Sequence, residues 1–175
     1  LKLNNQKIKD ALNGNLPWYC CVSEVKKVNL DFNARFSATS REYIYQCYTG
    51  KSFLFNNQSW ILPRLDIKFL NNLSKNLIGN LDFLSFSKFR KDLKNTNCNI
   101  FSAHWKKNME MYTFHVKANR YLHHMIRYLV GSMIGVYQNK LSKKDFMLLI
   151  TKPRKKVLVF KAPPQGLILD KVNYD

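Results

Sequence analysis

Acidic side chains are scarce in this chain. Eleven Asp and Glu stand against 29 Lys and Arg, which leaves a formal charge of +18 over 175 residues. That imbalance exceeds what solubility requires and is the footprint of a protein that meets a polyanion. A lysine-rich composition inherited from genome bias would account for the lysines, but says little about the placing of Arg35, Arg41 and Arg127. The four cysteines, Cys20, Cys21, Cys47 and Cys98, form no CxxC and have no histidines at matching spacing, which argues against a metal site. Adjacent Cys20 and Cys21 would alternate faces of a strand and make no ordinary disulfide, so free thiols in a reducing cytosol are expected. No run of about 18 apolar residues occurs, and the N-terminus lacks a signal-peptide pattern. A soluble, cytoplasmic protein is the expectation. Missing too are a Gly-rich phosphate loop, GxSxG, HExxH and zinc-finger spacing. The chain starts with Leu1 and not Met, from which an absent upstream part of the gene product is expected.

What is present suffices for a core: 46% of residues are hydrophobic and 14% aromatic, enough for one compact domain or two closely packed halves. A short helix is expected over Asn4 to Leu12, closed by Gly14, then a strand at "WYCCVSEVKKV". Asp66 is placed to cap a helix carrying Ile67, Leu70, Leu73, Leu77 and Ile78, ended by Gly79. "LDFLSFSKFRKD" reads as a turn of helix plus a loop, "CNIFSAHWKK" and "EMYTFHVKA" as a hairpin about Asn108, and "QGLILDKVNY" as a closing strand. Ser142 and Asp145 form a capping-box-like start for "KKDFMLLIT". Strands broken by helices with hairpin-length connections predict an α+β fold, an antiparallel sheet with helices packed on one face.

Two segments stand out. As a strand, "FNARFSATSREYIYQCY" (Phe32 to Tyr48) would put Arg35, Ser37, Thr39, Arg41, Tyr43 and Tyr45 on one face and Phe36, Ala38 and Ile44 on a core face. Cations beside tyrosines on a solvent face suit a planar anion. In "ANRYLHHMIRYLVGSMIGVYQ", a helix expected from Arg120 to about Gln138, Leu122, Met125, Ile126, Leu129, Val130, Met133, Ile134 and Tyr137 form a core stripe at about 100° per residue. Arg127 lies at the stripe's border, where its stem can bury while its guanidinium meets a carboxylate, a phosphate or simply solvent. Gly131 and Gly135 each cost about 1 kcal/mol against alanine inside a helix, which suggests close approach of another backbone. His123 and His124 project about 100° apart, so they suit a hydrogen-bonding or surface role better than one shared metal. None of the Asp and Glu residues sits in a strained, Gly-flanked motif that would mark a nucleophile. From spacing alone the chain reads as an RNA-binding domain with a catalytic groove left open as an option.

"FNARFSATSREYIYQCY", "LDFLSFSKF", "VKANRYLHHMIRYLVGSMIGVY" and "APPQGLILDKVNYD", in that order, resemble the tRNA pseudouridine synthase A family, enzymes that isomerise uridines in the anticodon stem-loop. The resemblance implies a two-half fold, each half an antiparallel sheet backed by helices, with a basic cleft for tRNA between them. It assigns residues 1–30 to the tail of the first half and residues 31–175 to the second. It implies an isomerase that needs no metal or organic cofactor, a homodimeric habit, and tRNA as partner. By the family pattern Tyr43 stacks on the target base and assists the late proton removal, Arg127 pairs with the catalytic aspartate, and Leu167 walls the uracil pocket. Arg35 matches an arginine expected at the tRNA backbone, and Arg41 and His123 are taken as further RNA contacts.

The sequence departs from the pattern in one respect: the GRTD-like segment that carries the family's catalytic aspartate does not occur in residues 1 to 175. The expectation is therefore an enzyme whose nucleophile lies upstream, this chain by itself being inactive. The alternative is a noncatalytic RNA-binding remnant of the fold. A DNA-binding protein is the weakest reading, since no recognition-helix pattern stands out.

Overall fold

The computed structural model describes residues 4–88 and 95–174. The chain divides into two units, Leu1–Ser37 and Ala38–Asp175. In the first, the Asn4 side chain accepts the N–H of Lys7 and so caps helix α1 (Asn5–Asn15), which runs through Gly14 rather than ending before it. The strand expected at "WYCCVSEVKKV" does not form. Residues 18–28 join no ladder, and the Asn13 amide instead holds both backbone groups of Val22, at 2.7 and 3.0 Å. A strand needs a neighbour to take its N–H and C=O groups, and the unit has none among its described residues.

The second unit holds one sheet: β1 (Ala38–Tyr48), β2 (Trp60–Ile61), β3 (Gly79–Asp82), β4 (Asn97–Asn108), β5 (Met111–Ala118) and β6 (Leu167–Tyr174), in the order β2-β1-β5-β4-β3 with β6 also paired to β1. Every pairing is antiparallel except the short β1–β2 contact. The β4–β5 hairpin turns where the sequence predicts, with Asn108 opposite Met111 and Met109 in the left-handed region at φ 51°.

The long strand begins later than Phe32 because Asn33 makes a turn. Its side chain accepts the N–H groups of Arg35 and Phe36, and its carbonyl accepts that of Ser37, so extended structure starts at Ala38. The expected faces hold at the strand's start, where Ala38 is buried and Thr39 exposed, but fail at Tyr45. Along β5, Tyr112, Phe114, Val116 and Ala118 are buried, and the register sets Tyr45 opposite Phe114 and Cys47 opposite Tyr112. Tyr45 is therefore core at 0% exposure, while Phe36, expected inside, is 78% exposed in the first unit. Tyrosine carries a large apolar ring with one polar handle, so it serves either face, and alternation alone assigns it wrongly.

Three helices complete the core of this unit. Asp66 caps α2 (Ile67–Ser74) through the N–H groups of Lys68 and Phe69, and Leu70, Leu73 and Leu77 are buried. Asn71 clasps the backbone of Trp105 in both directions, which docks α2 on β4. Helix α3 spans Met125–Tyr137 and not the Arg120 start expected, because His124 adopts a left-handed φ of 64° that interrupts helical geometry. Ser142 caps α4 (Lys143–Thr151) by accepting the Asp145 N–H at 3.0 Å, and its hydroxyl donates to the Asp145 carboxylate at 2.6 Å, so the helix starts where the capping-box-like pattern predicts. The helical turn in "LDFLSFSKFRKD" is a 3-10 turn at Leu84–Phe86; the loop expected beyond it falls on residues 89–94, outside the described residues.

Residues 152–166, a strap between α4 and β6, cross α3 at its two glycines. A Cβ on Gly131 would strike the Phe160 carbonyl and lie 2.7 Å from the Ala162 nitrogen, and one on Gly135 would lie 2.7 Å from the Phe160 ring. The close approach that those glycines predict is that of the strap.

Candidate active site

Tyr43, Arg127 and Leu167 come from a strand, a helix and the foot of the strap, and the chain between Ala162 and Leu167 links the last two. Tyr43 lies on β1 with Val116 of β5 and Leu169 of β6 opposite it. A register shift between Glu42 and Tyr43 leaves Asp170 without an opposite residue and changes the local twist under the tyrosine. Tyr43 is half-buried, and its ring meets Tyr121 edge-on with centroids 5.1 Å apart. The Tyr121 hydroxyl donates to the Arg41 carbonyl at 3.2 Å. Burial pushes the Tyr121 phenol far above its ordinary range, with the neighbouring Tyr43, Cys98 and Glu42 adding to the rise, so it stays a neutral donor. One side of Tyr43 is thus fixed by an aromatic edge.

Arg127 is half-buried on α3, and its Nε donates to the Ala162 carbonyl at 2.7 Å while the Ala162 N–H returns a bond to the Arg127 carbonyl at 3.0 Å. Among the described residues this is the only hydrogen bond of the guanidinium, and it forms no ion pair there. The Tyr45 hydroxyl takes the next carbonyl, that of Pro163, at 2.7 Å. Burial raises the Tyr45 phenol, and the nearby thiol of Cys47 adds to this, while the positive charge of Arg127 draws it back. Consecutive carbonyls of the strap are therefore held by an arginine and a tyrosine. The chain then makes a 3-10 turn at Pro164–Gly166 and enters β6 with half-buried Leu167 opposite Tyr45. Gly166 permits this entry, since a Cβ there would lie 2.6 Å from the Gln46 carbonyl oxygen and 2.9 Å from the Tyr45 ring.

The other predicted residues fall elsewhere. Nη1 of Arg41 donates to the carbonyls of Ala38 and Asn119, at 3.0 and 2.7 Å, so it ties the start of β1 to the end of β5. Exposed His123 stacks on His124 in the turn before α3, with centroids 4.0 Å apart, and its carbonyl accepts the N–H of Lys88. Burial lowers the His124 pKa, and the charges of His123, Lys161, Arg127 and Lys88 lower it further. Arg35 belongs to the first unit, its guanidinium 5.4 Å from the Phe36 ring centroid. The sequence reading missed Tyr45 as the strap's anchor and Tyr121 as the support of Tyr43. The second tyrosine of "REYIY" is the only signal it offered for the first, and nothing short of the register reveals the second.

The class of protein follows from a match across most of this unit: a family model described as tRNA pseudouridine synthase fits residues 73–175, from within α2 to the end of the chain. Curated relatives named tRNA pseudouridine synthase A agree. The chain is 36% identical to that of Chlorobium limicola, over 96% of its own length and 70% of the relative's. It is 36% identical to that of Bacteroides fragilis over 98% and 69%, and 34% identical to that of Chlorobaculum tepidum over 94% and 67%. The chain belongs to the tRNA pseudouridine synthase family, a family of isomerases. No helix among the described residues is long and apolar enough to cross a membrane.

Proposed function

We propose that this chain supplies the tRNA-binding surface and much of the base pocket of a synthase that converts uridine to pseudouridine in the anticodon stem-loop of tRNA. Residues 1–30 are the tail of the enzyme's first half and residues 31–175 its second, and the working form is a cytoplasmic homodimer. In the reaction a catalytic aspartate starts cleavage of the bond between N1 and the ribose, the freed uracil turns, C5 bonds to the ribose, and the C5 proton is removed. Tyr43 stacks on the base, an interaction worth about 1–3 kcal/mol, and stands by for the proton at C5. Arg127 pairs with the aspartate and Leu167 walls the uracil. Extruding the uridine from its stem costs a few kcal/mol, which this aromatic and apolar pocket offsets in part.

The observation that carries the reading is the tethering of Arg127. With Nε bound to the Ala162 carbonyl, its terminal nitrogens are left to grip a carboxylate in bidentate fashion. No GRTD-like segment occurs in residues 1–175, so the aspartate is assigned to sequence upstream, and the chain alone is inactive. Tritium release from C5-labelled uridine in an unmodified tRNA transcript tests this, using the chain alone and the chain joined to its in-frame upstream coding sequence. Release by the longer protein only is expected. Absence of release from a folded longer protein that still binds the transcript would establish a noncatalytic RNA-binding remnant instead.

A further inference from the structure

The block "LDFLSFSKF" has no role in the chemistry above, yet its turn forms one wall of a groove of about 340 Å³. The other walls are α3, through Tyr128, and the strap, through Arg154, Lys156, Val157 and Val159. That volume suits a single nucleotide. Ser85 of the turn accepts the N–H of Arg154 at 3.0 Å and so pins the strap's entry against it. Lys156 is held at a left-handed φ of 55°, a conformation L-residues rarely adopt, which marks a segment constrained by its surroundings. Lys88 closes the rim, its N–H on the His123 carbonyl, and among the described residues no Asp or Glu lines the groove. Cations outnumber carboxylates among the described lining residues, a balance that suits an anion. The apolar wall between them is more than an inorganic phosphate needs; it suits a base or ribose attached to one.

We propose that this groove binds one nucleotide of single-stranded RNA outside the uridine pocket, with its phosphate on Lys88, Arg154 and Lys156 and its base on Tyr128, Val157 and Val159. The inference rests on the tRNA reading above and adds a second anchoring point to it. The strap that leaves the groove at Val159 next crosses Gly131 with Phe160, meets Arg127 with Ala162, and reaches Leu167. A nucleotide seated here steadies the same segment that carries the base-pocket wall.

The test is fluorescence-anisotropy titration of a labelled tRNA stem-loop with the full chain and with a Lys88→Ala/Lys156→Ala variant, across a salt series. The same stem-loop carrying 4-thiouridine in its loop is then photocross-linked to the unaltered chain and mapped by peptide mass. The expected results are roughly tenfold weaker binding by the variant, a salt slope reduced by about 0.7 per lost single-strand phosphate contact, and a cross-link at Tyr128 or its groove neighbours. Unchanged affinity and slope, or cross-links confined to other surfaces, overturn the groove while leaving the tRNA reading intact. No stem-loop binding by the unaltered chain overturns both. Uridine 5′-monophosphate bound as tightly as the stem-loop would make this a free-nucleotide site and refute the RNA assignment.

Discussion

At the scale of single residues, two tyrosines of β1 separate structural support from the proposed chemistry. Tyr45 is entirely buried and its hydroxyl serves one carbonyl, that of Pro163. Tyr45→Phe keeps the ring and removes the donor, so it should cost about 1 kcal/mol of stability and lower kcat more than it raises KM, because the strap leading to Leu167 loosens. Chemical denaturation and steady-state kinetics of the complete enzyme read both, and an unaltered kcat would reduce Tyr45 to a core residue. Tyr43→Ala should abolish turnover and leave most of the tRNA affinity; an equal loss of binding would make Tyr43 an anchor and not a participant. A histidine pair gives the pH expectation. His104 and His115 stack with centroids 5.3 Å apart on β4 and β5, and burial, then the charge of Lys106, lowers both imidazoles, while Asp170 pulls that of His115 the other way. The folded state therefore binds protons less readily than the unfolded chain. Stability is complete above the ordinary imidazole value of about 6.5 and declines as pH falls below it, until the depressed folded values are passed. The melting temperature should drop on mild acidification, and His104→Gln/His115→Gln should flatten that drop; an equal slope in the variant would place its source elsewhere.

At the scale of elements, the meeting of α3 and the strap is the feature the sequence announced most plainly and described least. Two glycines in an otherwise apolar helix signal a close neighbour, but only the fold reveals that Phe160 fills the notch. Gly131→Ala sets two effects against each other. The helix gains about 1 kcal/mol in propensity, while the new methyl meets backbone, the Phe160 carbonyl, and overpacking of that kind costs about 1–3 kcal/mol. Because a carbonyl in a strap tied at Ala162 and Pro163 moves only with its neighbours, net destabilisation is expected, visible as a lower melting temperature and reduced turnover. A stabilised, fully active variant would show that the strap is pliable. The same comparison explains what was legible. Caps at Asp66 and Ser142 and the hairpin about Asn108 depend on neighbours in sequence and were readable. The start of α3 depends on one left-handed histidine, the face of β1 on a partner strand 60 and more residues away, and β2 is a two-residue parallel contact with no periodicity to detect. Of the candidate site, the family pattern supplied Tyr43, Arg127 and Leu167, whereas the hydrogen bonds that hold them are long-range and had no local signature.

At the scale of the whole molecule, charge dominates. A formal +18 makes tRNA association strongly dependent on salt, since each phosphate neutralised releases condensed counterion. Most of that charge is lysine spread over the surface, which raises affinity for any polyanion without positioning one. Arginine at a defined turn is different: Arg35 sits where the Asn33 side chain fixes the backbone, so its stem starts from an ordered position. If Arg35 meets a tRNA phosphate, Arg35→Glu removes a contact and introduces repulsion, so binding should weaken and the slope of log K against log salt should shrink by about 0.7–0.9. Reversing a lysine remote from the RNA changes the net charge equally but leaves that slope nearly unaltered, because no bound phosphate loses its counterion partner. Lys7, exposed on α1, serves as the charge-matched comparison. Binding isotherms at four or so salt concentrations separate the cases: a slope that changes for Arg35→Glu and not for Lys7→Glu identifies a phosphate contact, and equal slopes for both reduce Arg35 to one more unit of diffuse charge.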